Sequence, residues 1–217
     1  TENADVFDLT IGGLGLTGLI TRARLSVTAL PGNAVLTATL PFTGLLTGFK
    51  ELANVRERYD MAYSWIDLTG ADDGRAPGFV ITGNFIASTP SDIGNPIKRY
   101  KRLDPSQAKR RPRVFSDGTL GLVNRVYRHL TERADRRATA GLFGFMFPAV
   151  GKEFYFDFFG DLGFVEMQIL LPADSIESYC REFTALRRQH NRPIALTTVK
   201  CFKGRQRLLH FNGDGFN

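Results

Sequence analysis

From Leu19 onward the chain alternates in a way that predicts strands. Leu19, Thr21, Ala23, Leu25 and Val27 share one side, and Ile20, Arg22, Arg24 and Ser26 the other, the period of two expected of a half-buried strand. Residues 33–40 predict a second strand, set off by the Pro31-Gly32 turn. The period then lengthens: Leu45, Leu46, Phe49, Leu52 and Ala53 fall on one side of a short helix, with Thr43 as its cap. Residues 59–68 and 78–87 read as a strand pair across the turn formers of 70–74. Leu122, Val123, Val126, Tyr127 and Leu130 predict a helix over 120–130, and 140–147 a strand. In the second half, 163–171 reads as a strand closed by Pro172. Asp174 then caps a helix with Glu177 three residues on, an acidic capping box. Ile176, Tyr179, Cys180, Phe183 and Leu186 lie on one side of that helix. Ile194–Phe202 is the next strand, and 207–211 is expected to pair beside it. Both halves run helix, strand, turn, strand. The pattern predicts an α+β fold: an internally duplicated antiparallel sheet with helices packed on one face and the other face open.

Composition narrows this little. At 217 residues the chain suits one domain, or a domain and a fragment, and 43% hydrophobic with 23% charged residues is ordinary for a globular protein. No run of 18 apolar residues occurs, so no membrane span or export signal is expected. Thr1, rather than Met, stands first and close to a glycine motif, which predicts a piece of a longer protein. Cys180 and Cys201 make no disulfide framework and read as small buried hydrophobes. His129, His190 and His210 are scattered, and no metal site is expected.

Charge changes the picture in one place. Residues 98–113 hold eight basic side chains and one acidic, a net of +7 against +6 for the whole chain, so the remainder is −1. Basicity is thus a property of one loop, placed at about 88–118, where Pro105 and Pro112 and the lack of apolar periodicity predict an exposed segment without order of its own. Such a run suits phosphate groups or anionic lipid headgroups, in a weak contact with a membrane surface. No nucleic acid is expected, because no aromatic stacking platform accompanies the charge.

Gly13, Gly15 and Gly18 satisfy the spacing of a dinucleotide-binding loop. The context does not: no helix pattern follows, and no Asp or Glu occurs between Gly18 and Glu51 to hold a ribose. A tight turn, or a close backbone approach to a ligand, remains. Candidate chemistry lies in the second half. Period two puts Val165, Met167 and Ile169 on one face of their strand and Glu166 and Gln168 on the other. In Ile194–Phe202, Val199 and Cys201 belong with the core, leaving Thr198, Lys200 and Phe202 outward. If the two strands are neighbours, Glu166, Gln168, Thr198 and Lys200 form a polar strip open to a sugar-like substrate. Periodicity by itself favours a solvated face with a cross-strand Glu–Lys pair, since antiparallel sheets commonly leave one face wet.

Gly12-Gly13-Leu14-Gly15-Leu16-Thr17-Gly18-Leu19-Ile20, with Arg22-Ala23 after it, resembles the end of the FAD-binding domain in FAD-linked oxidases of the vanillyl-alcohol oxidase superfamily. The likeness is greatest to the decaprenylphosphoryl-β-D-ribose oxidase branch. Phe145-Met146-Phe147-Pro148, Gly163 to Gln168, Val199-Lys200-Cys201-Phe202 and Gly215-Phe216-Asn217 resemble further landmarks in the same order, as does Trp65 within Tyr63-Ser64-Trp65-Ile66-Asp67. The resemblance implies that 1–18 are the edge of an FAD-binding domain and 19–217 a substrate, or cap, domain. It implies that Gly13, Gly15, Leu16, Thr17 and Gly18 lie against FAD. Gln168, Lys200 and Asn217 would line the substrate pocket, with Glu166 in place of a glutamine, Met146 in place of a tyrosine, and Thr198, Phe202 and Trp65 alongside. Lys200 would be the catalytic group, holding a substrate oxygen or stabilising charge on reduced flavin. The implied reaction is oxidation of a secondary alcohol of a sugar by hydride transfer to flavin. FAD is expected in the whole protein and little or none on this stretch alone. Implied partners are the N-terminal FAD-binding domain of the same chain, a small sugar-type substrate and an epimerase reductase, in the bacterial cytoplasm or at its membrane periphery. An aldonolactone, alditol or hydroxy acid would be an alternative substrate. An alternative of another class is a non-catalytic α+β module that uses its basic loop on an anionic partner.

Overall fold

The computed structural model describes residues 3–70, 73–87, 111–134, 136–150, 154–191, 194–204 and 213–217. After a short helix α1 (Ala4–Thr10), strands β1 (Ala34–Thr43), β2 (Met61–Leu68), β3 (Pro77–Ile86), β4 (Arg137–Gly141), β5 (Ile194–Phe202) and β6 (Gly215–Phe216) build one sheet in the order β4-β1-β3-β2-β5-β6. Every pairing is antiparallel. Helices α2 (Leu45–Val55), α3 (Asp117–Arg133), α4 (Leu142–Met146), α5 (Phe154–Asp157) and α6 (Ile176–His190) complete an α+β fold. The sequences α2-β2-β3 and α6-β5-β6 repeat the order helix, strand, strand.

The core lies between the sheet and α2 with α6. Leu45, Phe49, Leu52 and Val55 of α2 and Ile176 and Cys180 of α6 pack on Ile66, Leu68, Val80 and Val199, with the Phe49 ring edge against Phe216 at 5.8 Å. Burying side chains of this size contributes about 1.5–3 kcal/mol each. The alternate residues point the other way, and that face is covered too. Trp65 stacks on Phe79 and meets Tyr127 of α3 edge-on at 4.9 Å, while Tyr63 meets Phe145 of α4 at 5.5 Å. Helices therefore lie on both faces, which corrects the expectation of a single covered face. The cause is local: Tyr63, Trp65 and Phe79 offer too much aromatic surface to leave wet.

Other expectations are corrected for identifiable reasons. Residues 19–27 form no strand; Leu19 is 91% and Val27 87% exposed, and alternation without a neighbouring strand gives the backbone nothing to pair with. Residues 163–170 join no ladder, and only Leu171 bridges to Phe216, because β6 already occupies the edge of β5. The expected strand at 140–147 ends at Gly141, where the chain enters α4. Thr43 does not cap α2: it is still paired with Pro77 in the sheet, and the chain turns at Gly44 (φ 100°), whose N–H donates to Ala76 O at 2.6 Å. Asp174 sits in a 3-10 turn ahead of α6, so Ser175 takes the cap position in a helical conformation and no capping box closes. A capping box does form at α3, where Thr119 N–H donates to Ser116 Oγ and Ser116 N–H to Thr119 Oγ1. The α3 helix turns Leu120 and Asn124 inward and leaves Leu122, Val126 and Leu130 exposed. The expected basic loop falls on residues outside the description up to 110. Its described end is short, since α3 begins at Asp117. The expected pairing of 207–211 also lies outside the described residues.

Candidate functional site

Lys200, Phe202 and Asn217 lie at the β5–β6 end of the sheet. Lys200 N–H donates to Asn217 O, and Asn217 N–H to Lys200 O at 2.8 Å. One residue on, Cys201 pairs with Phe216, and Phe216 and Leu171 exchange backbone bonds at 2.8 and 2.9 Å. Gly215 permits this approach, because a Cβ there would strike the Leu171 carbonyl. Asn217 Nδ2 then donates to Ile169 O at 2.6 Å. Three stretches distant in sequence are thus stitched together: 169–171, 200–202 and 215–217.

Pairing parity divides the two faces. Cys201, Phe216 and Leu171 belong to the core beneath α2 and α6. Lys200 and Asn217 face the other side, where Lys200 stands opposite Tyr63, and Thr198 opposite Trp65. Lys200 and Thr198 are exposed, Asn217 and Phe202 half-buried. Trp65 is 5% exposed, closed in by Phe79 and Tyr127. Met146 is exposed at the end of α4, next to the Phe145 that covers Tyr63.

Gln168 and Lys200 are not on neighbouring strands as expected, since β6 stands between their segments. Gln168 lies one residue before the carbonyl that Asn217 holds. Its Nε2 donates to Glu166 Oε1 at 2.7 Å, so these two side chains share one side of an exposed, extended segment.

The glycine stretch is elsewhere, in a turn after α1. Gly12, Gly15 and Gly18 have φ of 72°, 78° and 126°, and Thr17 Oγ1 lies 2.9 Å from Thr10 Oγ1. A Cβ on Gly13 would strike the Leu9 carbonyl, whereas Gly15 and Gly18 have nothing within 4 Å of that position. Residues 14–31 are all exposed, Leu16 at 84%. The backbone of this stretch is therefore open to solvent along its length.

A polar hub fixes the far end of β2. Asp67 Oδ1 accepts from Thr69 N–H, Thr69 Oγ1 and Asn124 Nδ2 at 3.1, 2.7 and 3.0 Å. The buried Arg187 of α6 donates to the Leu68 carbonyl and, at 2.8 Å, to that of Gly70. These bonds join α3 and α6 to the strand that carries Tyr63 and Trp65. Burial, with a smaller contribution from Tyr127, pushes the Tyr63 phenol up to about 12. Burial chiefly raises the Cys201 thiol to about 11, which makes it a poor nucleophile at neutral pH. Among the described residues no three His, Cys, Asp or Glu side chains gather as a metal site.

The polar hub and Tyr63 escaped the sequence reading. The spacing of Tyr63 and Trp65 puts them on one face, but only the strand register puts Tyr63 beside Lys200. No protein-family model matches the chain, and no curated protein matches it.

Proposed function

We propose that this chain is the substrate-binding part of an FAD-dependent oxidoreductase that oxidises a secondary alcohol of a sugar or sugar-phosphate-like substrate. One observation carries the reading. The stretches that resemble the cap-domain landmarks of such oxidases, 163–168, 199–202 and 215–217, lead to a single sheet edge where Lys200 and Asn217 are paired and Asn217 holds Ile169. In this reading the Lys200 ammonium holds a substrate oxygen, and Gln168, braced by Glu166, orients a hydroxyl. FAD, when bound, supplies the redox chemistry by accepting the hydride. Gly13, Gly15, Leu16, Thr17 and Gly18 would hold it along their open backbone, the N-terminal FAD-binding domain providing the rest. No described helix is long and apolar enough to cross a membrane, and we place the protein in the bacterial cytoplasm or, through residues 98–113, at the membrane periphery.

The test is turnover of a prenylphosphoryl-β-D-ribofuranose by the complete natural protein, followed by reduction of an artificial electron acceptor. Lys200→Ala should lower kcat/KM about a hundredfold, the scale of losing one charged donor at a reacting centre, with the fold intact by circular dichroism. Wild-type turnover in that variant removes Lys200 from the site. Absence of any flavin-linked turnover in the natural protein sinks the reading as a whole.

A further inference from the structure

Tyr63 and Lys200 are directly opposed on β2 and β5. Lys200 gives both its backbone groups to Asn217 on its other side, so its pairing with Tyr63 is of the non-hydrogen-bonded kind. In such pairs the Cα atoms lie about 4.5 Å apart and the side chains come closest. The two residues at this rung differ in solvation. Lys200 is exposed, while the Tyr63 ring is packed against Phe145 and sits beside Tyr127. The Tyr63 hydroxyl is bonded to no described residue, and it is absent from the polar atoms that the fold seals off. A fixed aromatic ring thus carries an unengaged donor on the sheet face that the exposed Lys200 shares. Buried tyrosines ordinarily find a partner for this group, and a ligand oxygen at Lys200 would provide one.

We propose that Tyr63 is a substrate-binding residue whose hydroxyl donates to the same oxygen, a hydroxyl or phosphoryl oxygen of the sugar substrate, that Lys200 holds. The inference rests on the reading of Lys200 given above and adds to it a residue from a different strand. Because the phenol stays protonated up to about pH 12, it remains a donor throughout the range in which such an enzyme works. The packed ring fixes its direction, so it contributes to selectivity for substrates with an acceptor at that point, and analogues lacking one leave it unpaired.

The experiment compares Tyr63→Phe, Lys200→Ala and the double variant in the complete flavin-loaded protein, with a prenylphosphoryl-β-D-ribofuranose as substrate. Tyr63→Phe keeps the ring and its packing on Phe145, so the melting temperature should hold. KM should rise about tenfold, the equivalent of one hydrogen bond, with kcat changed less than about twofold. The double variant should lose less than the product of the two single losses, since both groups hold one oxygen. An unchanged KM in Tyr63→Phe, with Lys200→Ala crippled, overturns the role of Tyr63 and leaves the functional reading standing. Losses that multiply in full overturn the shared oxygen. If Lys200→Ala is itself silent, Lys200 leaves the site and this inference falls with it, whereas absence of any flavin-linked turnover in the wild type overturns the functional reading.

Discussion

Lys200 and Asn217 exchange both of their backbone hydrogen bonds, and Asn217 then reaches past its own strand to the Ile169 carbonyl. That arrangement depends on Gly215, two residues earlier, where the Leu171 carbonyl occupies the space of a Cβ. Gly215→Ala should force β6 away from Leu171 and draw Asn217 off Ile169. The expected cost is about 1–3 kcal/mol, as for other overpacking changes, read by urea unfolding. Hydrogen exchange should locate the damage, with the amides of Leu171 and Phe216 losing protection first. Retained protection at both would mean that the edge tolerates the methyl group.

Arg187 is the second point where distant elements meet. Its guanidinium, buried in α6, donates to the carbonyls of Leu68, the last residue of β2, and of Gly70 just beyond it. Hydrogen bonds from a charged group contribute about 1.5–3 kcal/mol each, and partial replacement by water should recover some of that. Arg187→Ala is expected to lower unfolding stability by about 2–4 kcal/mol. Lysine should restore little, since it lacks the planar fork that reaches two carbonyls. A loss below about 0.5 kcal/mol, the range of ordinary surface changes, would show the bonds to be dispensable.

These contacts also show what a sequence reading reaches. Strands β1, β2, β3 and β5 and helices α2 and α6 were legible because their alternating or helical stripes coincide with buried positions: Leu52, Ile66, Val80 and Val199 are all core. The same alternation misleads over 19–27 and 163–170, where no neighbour completes the ladder, since periodicity records a side-chain pattern and not a partner. At the candidate site, Thr198 and Lys200 could be assigned to one face from sequence. The insertion of β6 between Lys200 and the segment of Gln168 could not, and neither could Tyr63 opposite Lys200. Both follow from strand order and register, which pair residues far apart in the chain.

The two thiols should behave as buried hydrophobes. Burial, with a smaller effect of Glu177, lifts Cys180 from 9.0 to about 11, and burial lifts Cys201 to about the same value. A rise of two units lowers the thiolate fraction near pH 8 about a hundredfold. Labelling by a disulfide reagent at that pH should therefore be at least about a hundredfold slower in the native protein than in denaturant, because the thiolate is the attacking form. Rapid native labelling of Cys201 would mean that β5 opens at its β6 edge.

The last prediction concerns the phenol of Tyr63, raised from 10.0 to about 12 by burial. A group whose proton is held more tightly in the folded state stabilises the fold fully below its unfolded pKa and loses that contribution as pH rises through the folded one. For Tyr63 the window runs from about 10 to about 12. Within it the unfolded chain has released the proton and the folded chain has not, so unfolding is favoured as pH increases. Tyr127, Tyr155 and Tyr179 are shifted upward by burial as well and act in the same direction. Wild-type stability should consequently fall across this range, and Tyr63→Phe, which has no proton to lose there, should fall less steeply. Tyrosinate absorbance supplies the independent reading: the native protein should show a late-titrating component that Tyr63→Phe lacks. If the component missing from Tyr63→Phe titrates near 10.0 instead of near 12, the hydroxyl lies in water and the ring outside the packing against Phe145.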